Sequence, residues 1–423
     1  MSRPAGATAG PPRGTRLDPW LAQYSARATG MRPSEIRSLF SVASRPEVVS
    51  LAGGMPYVPA LPLAEIADLM ARLVAEQGAV SLQYGSGQGR VDLREQIIDV
   101  VALQGITAHP DDVIVTAGSQ MALDLLARIF INPGDVVCVE SPSYVGALGA
   151  FSSYEASIVH IPGDEDGMDP VALASAIADC RARGQSVKAV YTVPTFQNPS
   201  GATMGAARRA DILAVAQQAG VLVIEDDPYA LLDFDGALHP AIRSLDEEGV
   251  VYLGSFSKTV APGLRVGWAV APHGIRERLV LAAESAILCP PAITQMAIGE
   301  YLRHTPWLDT VKQLRELYRC RRDALVRTMA ETMPAGVRWN TPEGGFYSWV
   351  SLPEGLDSRA LLPRAIAALV AFVPGTGFYA DGQGASQLRL SFCYPTPEEI
   401  TEGVRRLAGV VRDEVELWRM FQQ

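Results

Sequence analysis

The chain has 423 residues, 48% hydrophobic and 19% charged, with a formal net charge of −10. This describes a soluble globular protein with room for two domains and a sizeable core. The acidic balance without any polybasic run argues against nucleic acid or anionic membrane as partner, and no apolar run nears the roughly 20 residues of a membrane helix.

Residues 1–17 are rich in Pro, Gly and Ala without an apolar segment, so they read as a disordered tail and not a signal peptide, giving a cytoplasmic expectation. Residues 18–45 carry a mostly helical pattern, with Pro33 and Ser34 as a helix start and Arg37 one turn on. Gly53-Gly54 then marks either a turn or a close backbone approach. Pro62 opens a helix to about Glu76, and a second helix, Val91 to Gln104, follows Gly85-Ser86-Gly87-Gln88-Gly89-Arg90. That glycine run is not the dinucleotide fingerprint and sits in no βαβ unit.

From residue 113 the pattern becomes α/β. Val113–Thr116 reads as a strand, followed by Gly118-Ser119-Gln120 and a helix to Phe130. The Gly-Ser step is either a plain N-cap or a phosphate cradle at the positive end of a helix. Val136–Glu140 ends in Ser141-Pro142-Ser143-Tyr144, an aromatic that either packs or covers a planar ligand. Further strands are expected at Ala156–Ile161, Val187–Val193 (ending near Asn198) and Val221–Ile224, whose end carries Glu225-Asp226-Asp227-Pro228-Tyr229, with a helix from Met204 to Ala219. Polar groups at several such ends stand where a doubly wound sheet binds ligands. Residues 275–333 read as helical. Gly345–Val350 reads as strand, 358–370 as helix, and Leu388–Phe392 as an alternating strand whose Arg389 is either surface decoration or aimed into a cleft. The five cysteines contain no Cys-x-x-Cys, and the five histidines, which read as surface or loop residues, never fall at metal-ligand spacing.

The most informative stretch is Gly254–Trp268, where Ser255, Ser257, Lys258 and Arg265 lie between two apolar runs. Lys258 is either a solvated connection residue or an amine that burial neutralises for condensation with a carbonyl. A phosphorylated pyridine aldehyde would use the whole set. Ser119, Gln120, Ser255, Ser257 and Arg265 would take its phosphate, and Asp226 would keep its ring nitrogen protonated. Asn198 and Tyr229 would donate to its phenolic oxygen, and Tyr144 would cover the ring. Lys258 would take the aldehyde and later shuttle a proton, while the fork of Arg389 would bind a substrate carboxylate.

The motifs Ser34-Glu35-Ile36-Arg37, Ala52-Gly53-Gly54, Gln83-Tyr84, Thr116–Gln120, Pro142-Ser143-Tyr144, Gln197-Asn198-Pro199, Glu225–Tyr229, Gly254–Arg265 and Leu388–Ser391 together resemble those of fold-type I pyridoxal-phosphate aminotransferases of class I/II. Within that class the chain is most similar to the 2-aminoadipate/kynurenine group, from about Ser34 to about Leu407. The resemblance implies a three-layer α/β/α large domain (56–290) with a mostly parallel sheet. A smaller α+β domain (291–423) would be joined by an N-terminal segment (18–55) covering the active site. It implies ping-pong transfer from an α-amino acid to a 2-oxo acid such as 2-oxoglutarate through a Lys258 aldimine, with Asp226 and Tyr229 catalytic beside it. Arg389, Asn198, Gly54, Arg37 and Ser34 would meet substrate, and a homodimer would bring Tyr84 to the partner's cofactor phosphate. Where the group has a Ser-Pro-Thr-x-Gly-type turn after Gln83-Tyr84, this chain has Gly85–Arg90, so the resemblance does not extend to side-chain specificity. Arg37 pairs with an acidic substrate or is structural.

Rivals are weaker. A serine acylase using Ser255 and Lys258 would need Ser-Asp-Asn and Lys-Thr-Gly, and neither occurs. Related transcription regulators carry a winged helix for which about 30 leading residues leave no room. Oxidation, decarboxylation, elimination or cofactor sensing on the same constellation remain open.

Overall fold

The structure, a computed structural model, describes residues 18, 20–30 and 45–422. Its centre is a seven-stranded sheet built from β1 (Val113–Thr116), β2 (Val136–Glu140), β3 (Ser157–Ile161), β4 (Val187–Thr192), β5 (Leu222–Asp226), β6 (Val250–Ser255) and β7 (Gly267–Val270). The spatial order is β1-β7-β6-β5-β4-β2-β3. Only β7 runs against its neighbours; the other adjacent pairs are parallel.

Successive residues of these strands feed two different cores, because side chains alternate across a pleated sheet. Val137, Val139, Tyr191, Ile224, Val251 and Leu253 pack on one face. Val136, Cys138, Val190, Val223 and Val250 pack on the other, under the Pro170–Ala182 and Ala206–Ala219 helices. With both faces covered, strands such as β2 and β6 are buried at every position and read as unbroken apolar runs. Local chemistry sets the helix limits. Asp169 caps one helix by accepting from Val171 N and Ala172 N, and Gly220 stops the other in a left-handed conformation.

A second, four-stranded antiparallel sheet contains β8 (Arg338–Trp339), β9 (Tyr347–Ser351), β10 (Val373–Pro374) and β11 (Gln387–Ser391), in the order β8-β9-β11-β10. Nearby, Val49–Ser50 pairs in parallel with Val370–Ala371, which ties the early chain to its last third. The architecture is α/β with a mostly parallel central sheet between helical layers, as expected.

Several details differ from the sequence reading. The helix opened by Pro62 runs past Glu76 to Ser81, accommodating a non-helical Gln77. Two short strands at Gly163–Asp164 and Gly167–Met168 were not anticipated. His160 is no loose surface residue: it lies in β3, with Nδ1 against Glu140 O and Nε2 accepting from Ala380 N. Ser34 and Arg37 lie outside the described residues.

Candidate active site

Parallel strands deliver their carboxyl ends to one edge of the sheet, and the polar residues of this chain follow those ends. Ser119 follows β1, Tyr144 follows β2, Asn198 follows β4, Asp226 ends β5 and Ser255 ends β6. The reversed direction of β7 has a use here. Because β7 starts where β6 ends, the connection 256–266 never leaves that edge, and Lys258 and Arg265 are both held there. The result is a cavity of about 430 Å³.

Ser119 is not an N-cap. It is the first residue of the Ser119–Phe130 helix, and the cap position is Gly118, at φ 84° and with no side-chain capping bond. The first amides of that helix are therefore left for an anion. A Cβ at Gly118 would collide with the guanidinium of Arg265, which donates to Ala117 O at 2.8 Å. Across from the helix end, Ser255 Oγ and Ser257 Oγ lie 2.8 Å apart. Gln120 Nε2 donates to Gly146 O, and Tyr144 Oη lies 3.4 Å from Gln120 Oε1.

Strand alternation decides which of the three consecutive acids matters. Glu225 accepts from Ile242 N and Arg243 N, and Asp227 accepts from Thr195 Oγ1, away from the cavity. Asp226 faces the cavity. Its Oδ2 accepts from Tyr191 Oη at 2.9 Å, while its buried Oδ1 has no partner. Burial pushes the Asp226 carboxyl up to about 7, with the neighbouring Asp227 charge adding to the rise and Tyr191 and Lys258 opposing it. A buried carboxylate left with one bare oxygen is costly until a cationic donor meets it.

Lys258 is half-buried and donates to Gly54 O at 3.1 Å. Burial lowers its amine to about 8; Cys393 and Asp226 resist that fall, and the charges of Arg389 and Arg265 add to it. Such an amine exchanges its proton near neutrality and is available as a nucleophile.

Arg389, on β11, is 2% exposed. It donates from Nη1 to Asn198 Oδ1 at 2.8 Å and from Nη2 to Ala52 O at 2.7 Å, and its Nε is buried without a partner. The alternative of a surface strand arginine is therefore wrong: its side chain is buried and reaches the connection that follows β4. Tyr229, 3% exposed, lies with its hydroxyl 3.4 Å from that of Tyr347.

Of the site residues singled out from sequence that the structure describes, all line this cavity except Tyr84. Tyr84 is 77% exposed and does not line its own chain's cavity. Sequence reasoning missed Tyr191 and Tyr347. Both sit inside strands that read as core, where an aromatic gives no sign that its hydroxyl is used.

The donor set fits pyridoxal phosphate: an uncapped helix start beside two hydroxyls and an arginine, an unpartnered carboxylate oxygen, and an amine of lowered basicity. The profile of the family "Aminotransferase class I and II" matches residues 46–407. Aromatic-amino-acid aminotransferase 1 of Thermococcus litoralis is 40% identical, covering 93% of this chain and 94% of that protein. The kynurenine aminotransferase of Pyrococcus horikoshii, solved with PMP, is 40% identical with a TM-score of 0.88, covering 92% of this chain and 97% of that one. The α-aminoadipate aminotransferase of Thermus thermophilus, complexed with N-(5'-phosphopyridoxyl)-L-leucine, is 35% identical with a TM-score of 0.87, covering 94% and 99%. The chain belongs to the class I and II aminotransferases, enzymes that move amino groups with pyridoxal phosphate as cofactor.

Proposed function

We propose that Lys258 holds the aldehyde carbon of pyridoxal phosphate, and that this cavity moves the amino group of an α-amino acid to a 2-oxo acid, 2-oxoglutarate serving as acceptor, in a ping-pong cycle. One observation carries the assignment: the Lys258 amine, the unpartnered Asp226 Oδ1 and the buried Arg389 fork converge on a single cavity. When bound, the cofactor supplies the electron sink for chemistry at the substrate Cα.

The residues divide the remaining work. Ser119, Gln120, Ser255, Ser257 and Arg265 hold the phosphate, Asp226 keeps a proton on the ring nitrogen, and Tyr144 covers the ring. Asn198 and Tyr229 donate to the phenolic oxygen. Arg389 takes the substrate carboxylate in its planar fork, with Asn198 already bonded to that fork and Gly54 bringing bare backbone alongside. Lys258 Nζ would be the base for the substrate Cα proton, a task suited to an amine near 8.

The donor is a broad set of α-amino acids including aromatic and 2-aminoadipate-type side chains; the aromatic-amino-acid, kynurenine and α-aminoadipate enzymes it is similar to support this. Ser34 and Arg37 cover the side chain, Arg37 favouring acidic ones. The protein works as a cytoplasmic homodimer in which Tyr84 reaches the partner's phosphate site. Support comes from the exposed apolar side chains Leu82, Tyr84, Leu281 and Leu288, which belong to two segments joined by Gly85 N donating to Cys289 Sγ. No helix among the described residues is long and apolar enough to cross a membrane.

The test is a half-reaction screen. Each amino acid is mixed with the cofactor-loaded enzyme, and conversion of the aldehyde form to the amine form is followed by absorbance. Release of the matching 2-oxo acid without carbon dioxide, ammonia or peroxide is expected. Spectral change with any of those by-products would overturn transamination, and no change with any amino acid would overturn the catalytic reading.

A further inference from the structure

Tyr347 lines the cavity and carries none of the roles assigned above. It lies on β9, opposite Ser391 of β11, while Trp349 lies opposite Arg389. Tyr347 and Arg389 are thus diagonal neighbours on one face of the small sheet, a spacing within reach of long side chains. The sheet sets the guanidinium over the phenol ring, with Arg389 Cζ 4.1 Å from the Tyr347 ring centroid and 5.1 Å from that of Phe378.

The other end of Tyr347 meets the connection that follows β5. Its hydroxyl accepts from Tyr229 Oη at 3.4 Å, the two rings meeting edge to face at 87°. It also touches Gly54, where a Cβ would collide with it, and the carbonyl of that glycine accepts from Lys258. Tyr347 is 3% exposed. A phenylalanine would provide the same ring contacts without the cost of burying a hydroxyl, so the hydroxyl calls for a reason.

Proton counting gives one. Tyr229 and Tyr347 own one hydroxyl proton each, and their mutual bond uses one of the two. As the bond stands the remaining proton is that of Tyr347, and reversing the bond frees the Tyr229 proton for the cavity that both residues line.

We propose that Tyr347 is a positioning residue for both halves of the site: once Tyr229 turns its proton to the cofactor's phenolic oxygen, the Tyr347 hydroxyl reverses their shared bond and donates to Tyr229 Oη, and its ring holds the Arg389 fork in place. The inference rests on the reading that Tyr229 donates to the cofactor's phenolic oxygen. A donor that itself accepts a hydrogen bond donates more strongly. Tyr347 thereby tunes the proton near Lys258 through one contact and the carboxylate site through the other.

The cofactor-loaded enzyme and the variants Tyr229→Phe, Tyr347→Phe, Tyr347→Leu and Tyr229→Phe/Tyr347→Phe test it through the pH midpoint of the visible absorption band. Removing a donor from the phenolic oxygen disfavours the deprotonated form, so Tyr229→Phe should raise the midpoint. Tyr347→Phe should raise it by about 0.4–1 pH unit, the equivalent of one ordinary hydrogen bond, and change the amino-acid KM less than about twofold. The double variant should match Tyr229→Phe alone. Tyr347→Leu, which removes the ring, should raise KM by about 2- to 30-fold, the range of a cation–π contact. If Tyr229→Phe moves the midpoint and Tyr347→Phe does not, or if the two shifts add, the relay is overturned while the role of Tyr229 stands. If Tyr229→Phe leaves the midpoint unmoved, the role of Tyr229 fails and the relay with it. An unchanged KM in Tyr347→Leu overturns the link to Arg389.

Discussion

Asp226→Asn isolates the charge of one side chain with little change in its shape. The amide oxygen can still accept from Tyr191 Oη, which now bonds Asp226 Oδ2 at 2.9 Å, but an NH2 group replaces the unpartnered Oδ1. The cavity then presents a donor where a protonated ring nitrogen needs an acceptor, and the anion that favoured that proton is gone. A hydrogen bond to a charged partner is worth about 1.5–3 kcal/mol, so the single-turnover rate of amine-form production should fall about 10- to 150-fold. Stopped-flow absorbance with saturating amino acid reads this directly, and a rate within threefold of wild type would refute the role of Asp226. A second readout needs no cofactor. The Asp226 carboxyl is raised from 3.8 to about 7, so between those values the folded apoenzyme binds more protons than the unfolded chain, and its stability falls as pH rises. Glu140, Glu225 and Asp227, raised by burial to about 7, 7 and 6, slope the same way. Asparagine removes one share of that slope. The apo variant should therefore gain in Tm relative to wild type between about pH 4 and 7, and parallel Tm curves would show that the carboxyl is not buried as described.

Lys258→Ala should abolish turnover together with the visible band of the lysine-bound cofactor; borohydride treatment of wild type should leave a stable cofactor adduct on the Lys258 peptide, found by mass spectrometry, and an adduct elsewhere would sink the assignment. Arg389→Lys loses the bidentate fork and the bond to either Asn198 Oδ1 or Ala52 O, so KM for amino acids of every side-chain type should rise by about tenfold or more while cofactor content stays full; a selective effect on one class of side chain would contradict a carboxylate role. Gly118→Ala places a side chain at φ 84° and against the Arg265 guanidinium, so the apoenzyme's Kd for pyridoxal phosphate should weaken about 5- to 150-fold, while that for unphosphorylated pyridoxal changes little. Equal losses for both would mean that Arg265 and the helix start do not serve the phosphate.

The sequence exposes most of this site because a doubly wound sheet converts position along the chain into position in space. A buried apolar run followed by a polar residue names a point on the carboxyl edge, and Ser119, Asn198, Asp226 and Lys258 were all found that way. What the run does not encode is direction: Gly267–Val270 looks like any other buried strand, yet its antiparallel course is what keeps Lys258 and Arg265 on one edge. Nor does an acid triplet say which carboxylate faces the cavity until the pleat of β5 is known. Arg389 was an ambiguous strand arginine because its partners, Asn198 and Ala52, lie far away in the chain and arrive only when the two sheets meet. Tyr347 was hidden for a related reason. Both it and its neighbour Ser348 are buried, so the period-two signal that would separate a core face from a solvent face is missing from the start of β9. Wherever a strand is wrapped on both sides, hydrophobic pattern reports burial but not what a side chain touches, and a buried hydroxyl with a partner beside a cavity is then the better guide to where chemistry is arranged.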